Sequence, residues 1–161
     1  MVTPAKAAYH RETKGGKLFR QLVRIARDGI LLDALGRADA TGAQAEADAQ
    51  LRSPVNHFAH VTRISEIRGS RVLVNATVNS DGVFVVAPGT RVLRSHGRVL
   101  GRLLVSLQDV TGFVKLVHRH TGAEVLVRGG SGHVRTSLGA AASIRLPISG
   151  RVTIAGRGYF V

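Results

Sequence analysis

GRVLGRLLVSLQDVTGFVKLVHRHTGAEVLVRGGSGHVRTSL, residues Gly97–Leu138, reads as a strand, a short helix and a β-hairpin in that order. In Leu100–Gln108 the residues Gly101, Leu103, Val105 and Leu107 alternate with Leu100, Arg102, Leu104, Ser106 and Gln108. A strand sends successive side chains to opposite faces, so the two sets belong to two faces of a sheet. Asp109 stands where an N-cap carboxylate accepts from the free amides of a helix start. Phe113, Val114, Leu116 and Val117 then recur at helical spacing, which predicts a helix over Val110–His120, closed by Thr121-Gly122. Ala123–Arg128 and Gly132–Leu138 follow as strands, with Gly129-Gly130 as the turn between them.

Upstream, the period changes. Leu18, Leu22, Ile25, Gly29 and Leu32 fall on one side of a helix, with Lys17, Arg20, Arg24 and Arg27 opposite. This predicts one long amphipathic helix from Lys17, weakened at Gly36, and a second, Ala-rich segment over residues 37–51. Ser53-Pro54 ends the helical region, because the residue before proline avoids the α conformation. From Val55 onward the pattern is that of strands. His60–Arg68 and Arg71–Val78 flank a Gly69-Ser70 turn, and Asp81-Gly82 marks another. In the second segment Val72, Val74, Ala76 and Val78 share one face. Arg71, Leu73, Asn75, Thr77 and Asn79 share the other. Val83–Ala87 is a wholly apolar strand that suits a central place. Arg91–Arg94 resumes after Pro88-Gly89, and Arg151–Val161 is the last strand.

Composition narrows the partners. The 161 residues, 44% apolar, suffice for one domain with an extension, and residues 1–16 read as a flexible tail. There is no cysteine, hence no disulfide and no thiolate metal site. The net charge of +13 draws anions. Of the 23 basic residues 19 are Arg, a bias that genomic base composition also produces. No apolar run approaches the ~20 residues of a membrane span, and residues 1–16 lack the apolar core of a signal peptide.

At Gly97–Val161 the order and residue types resemble the Cache (PDC-like) extracytoplasmic sensor domains. The carrying residues are Gly97-Arg98-Val99-Leu100-Gly101 leading into Leu103-Leu104-Val105-Ser106-Leu107. They are joined by Thr121-Gly122-Ala123-Glu124-Val125-Leu126-Val127, Gly132-His133-Val134-Arg135-Thr136-Ser137 and Gly156-Arg157-Gly158-Tyr159. The long helix ahead of the sheet is also similar, so the resemblance spans about Lys17 to Val161. It implies an α+β fold: a mainly antiparallel sheet with a long N-terminal helix and a shorter helix packed on it, Cache/PAS-like. Residues 17–52 would be helical and 55–161 sheet-rich in a single sensor domain. It further implies an extracytoplasmic location in a bacterial membrane protein, with membrane contact only through segments outside this chain. The ligand class implied is a carboxylate or amino-acid-like molecule, bound on the sheet face away from the helix. Asn79–Gly82 is a tight turn where many members carry a longer pocket-forming segment. The strand ending at Val161 also wants a closing neighbour, which implies a longer chain or a homodimer through this open edge or the N-terminal helix.

The polar sheet face supplies the candidate ligand-binding residues: Arg63, Asn75, Thr77, Arg102, Ser106 and Gln108. Arg63 and Arg102, on neighbouring strands, offer two planar fork donors to one carboxylate. A solvated sheet face accounts for the same residues without a ligand. Catalysis is not expected. There is no G-x-S-x-G elbow, no close carboxylate pair is evident, and Gly129-Gly130-Ser131-Gly132 lacks the G-K-[ST] ending of a phosphate loop. No cofactor is expected. His57 and His60 share a helix face but lack a third ligand, and His118 and His120 suit the negative end of a helix. A nucleic-acid-binding module and a structural or dimerisation module are the alternatives. The former is the runner-up, with the right charge but with aromatics scattered rather than gathered in a stacking platform, and the latter is the third reading.

Overall fold

Asp28 divides what the apolar stripe presents as one long helix from Lys17, and Asp39 opens the Ala-rich segment that follows. The computed structural model describes residues 4–78, 86, 88–128, 134–138, 147, 150–154 and 156–160. In it the N-terminal region is a series of helices: α1 (Pro4–Lys14), α2 (Gly16–Ile25), α3 (Gly29–Gly36), α4 (Ala40–Arg52) and α5 (Pro54–Phe58). The Asp28 carboxylate accepts from the Leu31 amide at 2.8 Å and starts α3. Asp39 does the same for α4 through the Gly42 amide at 2.8 Å. Such caps stabilise by about 1 kcal/mol each, enough to restart a helix in a new direction. The expected long N-terminal helix is therefore corrected to separate short ones. The stretch read as a tail contains α1. Ser53-Pro54 ends α4 as expected, yet Ser53 also caps α5, with proline at the first turn where its missing N–H costs nothing.

The chain forms two compact units, Met1–Asp109 and Val110–Val161, where the sequence reading has one domain from residue 17. In the first, β1 (Arg63–Arg68), β2 (Arg71–Thr77), β3 (Gly89–Ser95) and β4 (Arg98–Ser106) make an antiparallel sheet in the order β2-β1-β4-β3. The mainly antiparallel α+β class is thus as expected. One sheet face is packed by α2 and α3 over β3 and β4, and by α4 over β2 and β1. Leu18, Leu22 and Ile25 of α2, Leu31 and Leu35 of α3, and Ala43 and Ala47 of α4 meet Ile64, Val74, Ala76, Leu93, Leu103 and Val105 in one buried cluster.

A polar network pins the helices above this cluster. Asn56, fully buried, accepts from Arg24 Nη2 and donates to the Gln50 carbonyl at 2.5 Å. Gln50 Nε2 in turn donates to Asp28 Oδ2 at 2.7 Å. Buried polar groups this well partnered tie α2, α4 and α5 into one arrangement.

Two irregularities re-aim side chains. Glu66 pairs with Val74 and Ile67 with Val72, so Leu73 is an extra residue on β2. Likewise Leu93 pairs with Gly101 and Arg94 with Val99, leaving Leu100 extra on β4. A bulge shifts the alternation by one. Val72 thereby faces away from Val74, contrary to the expected shared face, and is 56% exposed. Leu100, expected beside Arg102, is buried in the core cluster.

The second unit begins with α6 (Val110–Thr121), whose Val110, Phe113, Val114 and Val117 are buried. It packs on β5 (Leu126–Arg128) and β6 (Val134–Thr136), an antiparallel pair. Arg151–Val161 is not one strand. β7 (Arg151–Ile154) and β8 (Arg157–Phe160) form a hairpin about Gly156. The expected turns at Asp81-Gly82 and Gly129-Gly130, and the Val83–Ala87 strand apart from Val86, lie outside the described residues. No described helix is long and apolar enough to cross a membrane.

Candidate functional site

On the face away from α2, α3 and α4, the register arranges the sheet residues as a grid. Thr77, Arg63 and Ser106 form one cross-strand row. Asn75, Ser65, Leu104 and Thr90 form the next, and Val72, Ile67, Arg102 and Val92 the third. Five of the six candidate residues therefore share one face. No carboxylate stands on these rows, whose charged groups are Arg63 and Arg102.

A concavity of about 150 Å³ lies on this face, lined by Arg63, Ser65, Ile67, Val72, Pro88, Leu104 and Ser106. Arg63 is its charged group. Its Nε donates to Asn75 Oδ1 at 2.7 Å and to Ser65 Oγ at 3.1 Å, and Ser65 Oγ donates to the same Asn75 oxygen at 3.1 Å. The Nε edge is thus tethered from behind. The Nη groups have no hydrogen-bond partner among the described residues. A guanidinium held this way keeps its outer donors in a fixed plane, which lowers the entropy lost on capturing a planar anion. The walls are apolar, through Ile67, Val72, Leu104 and Pro88. This combination, one fork donor above an apolar floor, is what a small organic anion needs.

The candidate residues take different places around it. Arg63 and Ser106 line the concavity. Asn75 stands behind Arg63 as its anchor, and its own amide donates to Gln44 Oε1 of α4 at 2.9 Å. Thr77 is exposed at the row's end. Arg102 is exposed and opposite Ile67, four residues along β4 from Ser106, the partner of Arg63. At the strand rise this separates their backbones by about 13 Å. Arg63 and Arg102 are thus not side by side, and Arg102 is not among the residues that line the concavity. Gln108 lies past the end of β4, and its backbone closes a turn on Ser106.

Ser106 is a wall rather than a free donor. It is buried, and its hydroxyl donates toward the Gln108 carbonyl at 2.7 Å and the Val86 carbonyl at 3.0 Å while accepting from the Gln108 amide at 3.2 Å. Ser106→Ala strands these groups. It should lower unfolding free energy by about 1–2 kcal/mol in urea titration, with ligand affinity changing little. A large affinity loss at unchanged stability would return Ser106 to the binding set.

Sequence reasoning missed Ser65, although alternation from Arg63 places it on the same face. It also missed Glu66 on the opposite face. Glu66 is 1% exposed, and neither carboxyl oxygen has a partner among the described residues. Burial raises its pKa above the ordinary glutamate range, and the nearby Arg68 guanidinium offsets this in part. Arg68 is itself spent on the Leu100 carbonyl at 2.7 Å and the Leu35 carbonyl at 3.1 Å.

A wider concavity of about 580 Å³ in the second unit is lined by Glu124, Arg157 and Tyr159 among others. Glu124 is already engaged by Ser137 Oγ and lies 3.7 Å from His118 Nδ1. Arg157 is exposed and has no tether comparable to that of Arg63 among the described residues. No three potential metal ligands cluster among the described residues. No protein-family description, curated protein or solved structure matches the chain.

Proposed function

We propose that the chain is a ligand-sensing domain of Cache type, the extracytoplasmic part of a membrane-bound signalling protein. In this reading it binds a small organic anion at the Arg63 concavity. The observation that carries it is the Arg63 guanidinium, held at Nε by Asn75 and Ser65, on the lining of a small, apolar-walled hollow whose other described lining residues are uncharged. The volume lies well below the ~300–1,000 Å³ of sites for drug-sized molecules, so the ligand is a small one. A carboxylate or amino acid with a short apolar portion suits both the fork and the walls. The arrangement of helices on one sheet face and a hollow on the other separates ligand from output surface, as sensing requires.

Thermal-shift titration with small carboxylates and amino acids tests this. A ligand at 100 times its Kd should add about 2.7 kcal/mol of apparent stability. Arg63→Gln should weaken binding about tenfold, the lower end of the ~1.5–3 kcal/mol for a hydrogen bond to a charged group. No response to any small anion, together with tight, salt-sensitive binding of DNA or RNA, would replace this reading with a nucleic-acid-binding one.

A further inference from the structure

Both hairpin tips of the four-stranded sheet lie at the same end, because β1 ends at Arg68 beside the start of β4. On the face away from the helices, near this end, stand Val72, Val92 and Val99, 56%, 50% and 58% exposed. They come from three different strands and alternate with arginines. Val92 is paired with Arg102, and Val99 with Arg94. Arg94 and Arg102 are exposed on this face, with no side-chain partner among the described residues. The tip between β3 and β4 is a stiff two-residue turn, with positive φ at both His96 (48°) and Gly97 (76°). Rigid strands thus present branched aliphatic groups and free guanidinium groups together, on a patch about 14 Å wide across four strands.

We propose that this hairpin end docks on an anionic lipid bilayer, with Val72, Val92 and Val99 entering the headgroup layer and Arg94 and Arg102 pairing with lipid phosphates. Charge complementarity selects the occupant. A second copy of the same face would bring arginines against arginines, which is repulsive. A nucleic-acid backbone would satisfy the arginines and leave the valines in water, and no described aromatic stands on the patch to stack on bases. An anionic bilayer satisfies both, through phosphates at the surface and hydrocarbon just beneath. Docking here would also fix the orientation of the sheet relative to a membrane and leave the helices on the opposite face.

Co-sedimentation of the full chain with vesicles is the test, using phosphatidylcholine alone and phosphatidylcholine mixed with phosphatidylglycerol. Binding is expected to the mixed vesicles only. Each arginine near the surface should contribute about fivefold, so Arg94→Gln with Arg102→Gln should weaken binding about 25-fold. Val92→Ser with Val99→Ser keeps every charge and should also release the protein. All four side chains are exposed, and a thermal melt confirms that each variant is folded. Failure to bind mixed vesicles, equal binding to both vesicle types, or indifference to the valine substitutions would overturn the proposal. Competition by duplex DNA that depends on the arginines and not on the valines would assign the patch to nucleic acid instead.

Discussion

Gly101→Ala should cost about 3 kcal/mol of unfolding free energy in urea titration, the upper part of the range for forcing an extra carbon into a packed core. On strand propensity alone the sign would be the opposite, since alanine in a strand interior is favoured over glycine by roughly 0.5–1 kcal/mol. The cost comes from a single approach. A Cβ on Gly101 would lie 1.7 Å from Glu66 Oε1 and 2.9 Å from the Ile67 carbonyl oxygen. The carboxyl has little freedom to withdraw. Glu66 is 1% exposed and stands between its register partners Val74 and Leu103 beneath the helices. The backbone oxygen moves only with the strand. Because the clash is chiefly with one side chain, it should be relieved by shortening that side chain. Gly101→Ala combined with Glu66→Ala should recover most of the loss, a coupling of about 2 kcal/mol for residues in contact. Additive effects of the two substitutions would show that Gly101 does not hold the space for Glu66.

Glu66→Met should raise stability at neutral pH by about 2 kcal/mol, within the ~1–3 kcal/mol cost of a buried unsatisfied polar group. Methionine keeps the length of the side chain and needs no hydrogen-bond partner. The same residue sets a pH dependence. Its carboxyl titrates higher in the folded chain than in the unfolded one, because burial disfavours the charged form. Between the ordinary glutamate range and the raised folded value, the native state therefore binds more protons than the unfolded state. Stability falls as pH rises through that window and is flat, at its lower level, above it. The methionine variant should lose this slope. Chemical denaturation across the weakly acidic to neutral range checks both points. A wild-type stability that rises through the window, or a methionine variant less stable than wild type at neutral pH, would contradict the burial of an unpaired carboxyl.

The helix-facing Leu103 and Val105 of β4 are readable from alternation alone. What alternation cannot carry is a bulge. Leu73 and Leu100 each insert one residue without altering the apolar pattern, and so Val72 and Leu100 change sides unannounced. The long-helix reading failed for a related reason. The stripe from Leu18 to Leu32 continues through Ala26-Arg27, while the signal that divides it, Asp28 before Leu31, is a capping signal rather than a periodic one. At the site, Arg63 and Ser106 were legible because both sit on regular stretches of the central strands. Arg102 stands apart from Arg63 because cross-strand register decides which residues meet, and register depends on pairing partners distant in sequence. Glu66 was invisible as a buried residue. A carboxylate in a strand of mixed polarity reads as solvent-facing, and the room made for it comes from Gly101 on another strand.

The central claim is that the tethered Arg63 guanidinium forms the anion-binding edge of a small hollow on the sheet face away from the helices. Its most direct test is a two-dimensional 15N NMR titration of the full chain with small carboxylates and amino acids. The account predicts a saturable shift of the Arg63 Nε–Hε signal, with the amides of Ser65, Ile67, Leu104 and Ser106 following the same binding curve. Unsaturable shifts spread over exposed arginines such as Arg94 and Arg98, with the Arg63 signal unmoved, would contradict it.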